Sequence, residues 1–270
     1  MRSVVAGLFT AVAMVCMVLA VPSMWLSQRV VSTEGFVSSA SVAAHDAQVQ
    51  DYFAQKVASS VEDATGSKIA ADLVLPAARN YAQSDGFVAD FSEVARQQHE
   101  WLFTAPDADT DLHLMEFNIT PMINRVVQSA PLPIPVTIDR EVIVTVDQSQ
   151  ITAGSLEDSG TLVDILAWVS VIGAIVASLI ALMVSTRRTT VLAWLGVGGV
   201  LAGLAGWGIA VFTDNVVHER LANTDEASRN TIEVVVSGIV DNLSTVSLYV
   251  GIGGAVVLLV AVVARVASAR

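Results

Sequence analysis

Residues 162–212 read LVDILAWVSVIGAIVASLIALMVSTRRTTVLAWLGVGGVLAGLAGWGIAVF, two long apolar runs joined by a short hinge that carries Arg187 and Arg188. The first run holds a single charged residue, Asp164, near its start, and the second run, 191–212, holds none. A helix needs about 20 residues to cross roughly 30 Å of hydrocarbon, and both runs have that length. A backbone in lipid must satisfy its own hydrogen bonds, so each run predicts a helix. Working outward, two more runs of the same kind appear, 4–26 near the start and 246–264 near the end, neither with a charged residue.

The four runs account for the composition. The chain is 53% hydrophobic and only 15% charged, with a mean hydropathy of +0.62, against about 25% charged in an ordinary soluble domain. Between the runs the composition is unremarkable. The first run could be a secretory leader, with Arg2 as its positive start. It is longer than the usual 7–15-residue leader core, and no small-residue cleavage pattern follows it, so a retained anchor is expected.

Charge sets the expected sidedness. The short ends and the hinge carry Arg2, Arg187, Arg188, Arg265 and Arg270 and no acidic residue. The segment 27–160 carries 19 acidic and 7 basic residues, and 213–245 carries 6 and 2. Arginine and lysine collect on the cytoplasmic side of short loops. Both termini are therefore expected in the cytoplasm of a multi-pass plasma-membrane protein, with both acidic loops outside. The organisation is a first span within 1–27, an extracytoplasmic domain at 28–160, a second span at 161–185, a hinge at 186–190, a third span at 191–212, a second outer loop at 213–245, and a fourth span with the C-terminal end at 246–270. A net charge of −12 excludes nucleic acid as a natural partner. The single cysteine, Cys16, allows no internal disulfide.

The segment 28–160 is too long to be a bare connection. Phe36, Val37, Val42 and Ala43 predict a short helix, and Asp46 a cap for the next one. There Val49, Phe53, Val57 and Val61 recur every four residues until Gly66 breaks the chain. Ile69, Leu73 and Val74 mark a third helix that Pro76 is expected to kink or restart. Asp85-Gly86 reads as a turn before a fourth helix carrying Phe87, Phe91, Val94, Gln98 and Leu102, which ends before Pro106. Alternation over 112–119 predicts a strand, and Pro121 a short helix start. Pro131, Pro133 and Pro135 predict an extended link, and 136–138 and 142–146 two strands about a turn at Asp139-Arg140. The second loop predicts helices at 214–222 and 230–244, with Ile232, Val235, Ile239 and Leu243 as an apolar face covering the membrane-proximal side of the large domain. The expected fold class is a membrane α-helical protein of four transmembrane helices with an α+β extracytoplasmic domain, mainly helical with a small antiparallel sheet.

Several of these stretches, Val31-Ser32-Thr33-Glu34-Gly35-Phe36-Val37, Ala43-Ala44-His45-Asp46-Ala47-Gln48-Val49-Gln50, the Phe91 to His99 helix, Phe117-Asn118-Ile119-Thr120-Pro121 and the Arg187-Arg188 hinge, are familiar as a set. On them the chain resembles a largely uncharacterised actinobacterial family of four-span integral membrane proteins with a large extracytoplasmic loop domain. Where that family commonly reads Asp-Pro, this chain has Asp46-Ala47. The resemblance implies topology and an envelope location, and no activity.

Few residue sets suggest chemistry. Asp107, Asp109 and Asp111 have the alternate spacing that opens a calcium loop. Leu112 stands where such a loop needs glycine and Asn118 where it needs a bidentate glutamate, so an acidic connection is the expected reading. His99 and His113 could approach one another with Glu100 or Asp111 as a zinc set, but none of the four histidines shows the paired spacing of a zinc helix. A P-loop, a dinucleotide glycine motif and a G-x-S-x-G elbow are all absent from the sequence. In the third span Gly199-x-x-x-Gly203 and Ala202-x-x-x-Gly206 form a small-residue face suited to close helix packing, for which Gly173, Ala177, Gly251 and Gly254 are candidate partners. Asp164 lies near a span end, and the midplane lacks the polar groups of an ion path. Trp25, Trp168, Trp194 and Trp207 suit an interfacial belt. The function expected is a non-enzymatic accessory or scaffold component of an envelope complex, with no cofactor. Membrane lipid, other envelope membrane proteins and a second copy of the chain are the partner classes considered. A ligand- or cation-binding receptor and an envelope hydrolase are the alternatives.

Overall fold

The computed structural model describes residues 2–107, 111–129, 141, 143–147, 151–221 and 226–267. Its elements in chain order are α1 (Arg2–Leu26), a π-helical turn (Ser27–Val31), α2 (Thr33–Ala43), α3 (Ala47–Thr65), α4 (Lys68–Ala82), α5 (Asp85–Phe103), β1 (Leu114–Asn118), α6 (Thr120–Ser129), β2 (Ile143–Asp147), α7 (Glu157–Val184), α8 (Arg188–Leu221) and α9 (Glu226–Ala267). The chain divides into a span unit, made of Met1–Val31, Gly160–Val217 and Ile239–Arg270, and a loop unit, made of Ser32–Ser159 and His218–Gly238.

Among the described residues, four helices are long and apolar enough to cross a membrane: Arg2–Val31, Glu157–Val184, Arg188–Thr213 and Val240–Ala267. Their packing inverts that of a soluble bundle. Most buried positions are small, Ala6, Ala13, Ala167, Ala174, Ala177, Ala181, Ala202, Ala210 and Ala261, with Val191, Leu195, Val240 and Leu243 as larger ones. Large apolar side chains such as Leu8, Leu179, Met183 and Leu259 face outward. Lipid tails are as apolar as leucine, so burying leucine gains little there; close backbone approach and dispersion hold such helices together. Two hydroxyls on these helices bond within the helix, Thr10 to the Ala6 carbonyl at 2.7 Å and Ser23 to that of Leu19 at 2.6 Å. One hydroxyl reaches across: Ser27 in the π-helical turn donates to Asp164 Oδ1 of α7 at 2.6 Å. The charged residue of the second span therefore has a hydrogen-bonding partner.

The loop unit is helical with a two-stranded antiparallel ribbon, β1 against β2, in which Leu114 faces Asp147 and Asn118 faces Ile143. Its local rules are legible. Ser32 caps α2 by accepting from the Gly35 N–H at 3.3 Å. Asp46 caps α3 by accepting from Gln48 at 2.7 Å. Gly66 ends α3 in the left-handed region at φ 65°, where a side chain would be strained. The core gathers Ala44, Tyr81, Ala82, Phe87, Met122 and Val126, with Phe53 and Phe91 packed against it. Ring centroids of Phe53 and Phe87 lie 4.8 Å apart, and those of Tyr81 and Phe87 5.7 Å apart nearly edge-on, both favourable arrangements.

Three expectations differ, wholly or in part, from what is observed. Asp85-Gly86 is the first turn of α5, because Ser84 accepts from the Phe87 N–H and starts the helix there. Pro76 stays inside α4 without restarting it. The carbonyl it leaves without a donor belongs to exposed Asp72, so water can satisfy it. Within α4 the buried residues are Ala71, Ala77, Ala78, Tyr81 and Ala82, while Ile69 and Leu73 are 75% and 72% exposed. The helices expected inside 213–245 are extensions of the third and fourth spans, since α8 runs on to Leu221 and α9 begins at Glu226. Residues 213–221 and 226–245 include no proline and only Gly238, so no breaker ends either helix at the membrane edge. The proline link at 131–135, the strand at 136–138, the turn at Asp139-Arg140 and the side chains of Ile232, Val235 and Ile239 lie outside the described residues. Leu243, the last member of that face, is fully buried.

Candidate functional site

The loop unit brings together one closed polar network. Tyr81 of α4 donates to Asp90 Oδ2 of α5 at 2.8 Å. Arg125 of α6 approaches the same oxygen through Nε at 2.9 Å. Asp90 is buried and Arg125 half exposed. Burial first, then the bond to Asp90, pushes the Tyr81 phenol well above its ordinary value. Gly86 makes room for the network: a Cβ there would stand 3.1 Å from Arg125 Nη1 and 3.2 Å from its Cδ. Three helices are thus pinned by one carboxylate. Its Oδ2 is shared by a phenol and a guanidinium, which suits it to structure rather than to proton transfer.

A second polar position surrounds His99 on α5, which is buried. Its Nδ1 lies 3.3 Å from Thr33 Oγ1. The ring stacks on Phe103 with centroids 4.5 Å apart, and Phe36 packs at 5.3 Å. The nearby Glu34 carboxyl is held below its ordinary range by its own backbone N–H and then by the Ser32 hydroxyl. The imidazole thereby ties the start of α2 to α5.

The sequence candidates for metal do not gather. Asp107 is exposed, and Asp109 lies outside the described residues. Asp111 accepts from the His113 backbone N–H at 3.0 Å, forming the turn into β1. His113 is exposed while His99 is buried. Among the described residues no three His, Cys, Asp or Glu side chains are placed to hold a metal ion.

The small-residue positions do meet other helices. A Cβ on Gly199 would stand 2.9 Å from the Gly254 Cα, and one on Gly203 would stand 2.6 Å from the Ser247 carbonyl and 2.7 Å from the Gly251 Cα. A Cβ on Gly206 would collide with Ser247 Oγ, and one on Gly196 would meet the Leu258 backbone at 2.6 Å. Ala202 is buried in the same helix. A Cβ on Gly173 would instead stand 3.0 Å from Cys16 Sγ, and Ala177 packs with Ala13 and Leu195. Gly196, placed one turn before Gly199, extends the face beyond the residues that the spacing picked out. Arg2, Arg187, Arg188 and Arg265 belong to the span unit, and Arg270 lies outside the described residues. Trp168, Trp194 and Trp207 are each about half exposed.

One close approach was not legible at all. Gly154, at φ 69°, lies against the end of α5, where its N–H donates to the Trp101 carbonyl at 2.8 Å. A Cβ there would meet Pro106 Cδ at 2.7 Å and the Thr104 carbonyl at 3.0 Å. A lone Ala-Gly-Ser gives no hint of such a partner. Comparison of the chain with models of protein families, with curated proteins and with solved structures finds no match.

Proposed function

We propose that the chain is a non-enzymatic, multi-pass component of the plasma membrane that serves as an accessory or scaffold subunit of an envelope complex. Its arginine-bearing ends lie in the cytoplasm, and its loop unit lies outside, where it contacts other envelope membrane proteins. The sidedness rests on the arginine distribution.

The observation that supports the contact role is on α4. Ile69 and Leu73 stand one turn apart, 75% and 72% exposed, and Pro76 is exposed on the next turn. A single exposed leucine is ordinary. Three apolar side chains in line along a helix form a ridge of the kind that an apolar groove or helix receives. The Asp90 network and the α3–α4 packing hold that ridge rigid, which lowers the entropy cost of docking.

The test is photo-crosslinking in living cells, with benzoylphenylalanine at position 73 and, as control, at exposed Gln55 of α3. The expected result is one recurrent envelope protein captured from position 73, absent from position 55 and lost when Ile69→Glu is added. Capture of nothing, or only of a second copy of the chain, overturns the proposal.

A further inference from the structure

Two cavities open among the four span helices. The first, about 690 Å³, lies where α1 begins, α7 passes to α8 and α9 ends. Its polar lining is Arg187, Arg265, Ser3, Thr10, Ser185, Thr186 and Thr190, with no acidic side chain among the described lining residues; Met14 and Trp194 also line it. The second, about 500 Å³, is lined almost wholly by apolar groups, among them Met17, Ala174, Leu195 and Val257. One polar group interrupts that wall, Ser178, whose buried hydroxyl has no hydrogen-bond partner among the described residues. On α1 the first lining runs from Ser3 to Met14 and the second from Met17 to Val21. The cavities therefore follow one another along the same helix, and Thr10 to Ala20 covers about 15 Å of it.

We infer that the two cavities form one binding site for an anionic, phosphate-bearing amphiphile, its phosphate between Arg187 and Arg265 and its acyl chain along the apolar wall. Two arginines with hydroxyls around them, and no acidic side chain among the described lining residues, suit a phosphate, which the guanidinium fork can meet with paired hydrogen bonds. Basic pockets between membrane helices take anionic headgroups in this way. A zwitterionic headgroup brings its own cation against the arginines. A soluble anion leaves the second cavity unused.

The test uses full-length protein in a neutral maltoside detergent, with thermal unfolding followed while dihexanoylphosphatidylglycerol, dihexanoylphosphatidylcholine or inorganic phosphate is added. At roughly fivefold in affinity per arginine, the pair gives the glycerol lipid an advantage of about 25-fold over the choline lipid. The expected result is a rise in Tm with phosphatidylglycerol at far lower concentration than with the other two. Arg187→Gln with Arg265→Gln abolishes that preference, and Arg188→Gln, outside the cavity lining, keeps it. A second measurement needs no charge variant: in vesicles, brominated phosphatidylglycerol quenches the fluorescence contributed by Trp194 (isolated by difference with Trp194→Phe) more strongly than brominated phosphatidylcholine does. Equal response to the two lipids overturns the inference. So does a full response to inorganic phosphate alone, or a preference that survives loss of both arginines.

Discussion

Asp90 shows how much one side chain can carry in the loop unit. It is buried, yet it accepts from Tyr81 and pairs with Arg125, so α4, α5 and α6 share one anchor. A buried carboxylate is tolerable only when its oxygens are engaged. Tyr81→Phe removes one hydrogen bond and is expected to destabilise by about 1 kcal/mol. The titration sign follows from the raised phenol. Its neutral form is favoured in the fold, so its contribution is fully present below the ordinary value near 10 and is lost as pH rises above that. The difference in absorbance at alkaline pH between wild type and Tyr81→Phe should therefore appear together with unfolding of the loop unit; tyrosinate forming while the fold is intact would contradict the network. Gly154 is the second sensitive point. Gly154→Ala places a Cβ against Pro106 at a positive φ, and a loss of about 1–3 kcal/mol is expected in denaturant unfolding.

The helix pair α8 and α9 carries the clearest lesson about elements. Gly199 and Gly203 face backbone atoms of Gly254, Gly251 and Ser247. A neighbour that is backbone cannot rotate aside, so even one methyl group must push the helices apart. Gly208 of α8 and Gly253 of α9 have nothing within 4 Å of an added Cβ. Gly203→Leu should lower the Tm in detergent sharply and Gly208→Leu should not, although both place leucine in the same helix; equal effects would mean the contact is not what holds the pair. Much of this was readable beforehand. The i, i+4 spacing of Gly199 and Gly203 named the face, and the cap at Asp46 named the start of α3. What was not readable had physical reasons. The buried face of α4 was not read beforehand, because the residues that pack are mostly alanines, which give little periodic signal beside the bulk of Ile69 and Leu73. Gly86 looked like a turn because its role, clearing space for Arg125, depends on a residue 39 positions away. The polar network of Tyr81, Asp90 and Arg125 gave no signal because no short motif joins three separate helices.

At the scale of the whole molecule, apolar and charged residues are sorted by segment. Four helices suit a bilayer, while the segment 27–160 holds 19 of the 26 acidic residues. If the arginines fix the sidedness proposed above, a cysteine at exposed Gln55, in a Cys16→Ser background, should react in intact cells with a maleimide that cannot cross the membrane. A cysteine at Thr186, in the hinge beside Arg187, should react only after the cells are opened. The opposite pattern would reverse the topology and with it the face on which partners are sought.

The alanine-and-glycine interior of the span unit has a bearing on its tolerance to change. In a soluble domain, trimming a leucine hollows the interior and enlarging an exposed residue is harmless. Here the outward ring of Leu8, Leu179, Met183 and Leu259 has neighbours that can flow to fill any gap, whereas Ala13, Ala181, Gly199 and Gly203 have none. A saturation library read across these four helices would thus carry the opposite imprint: bulk lost at the rim passes unnoticed, and bulk gained at the axis is rejected.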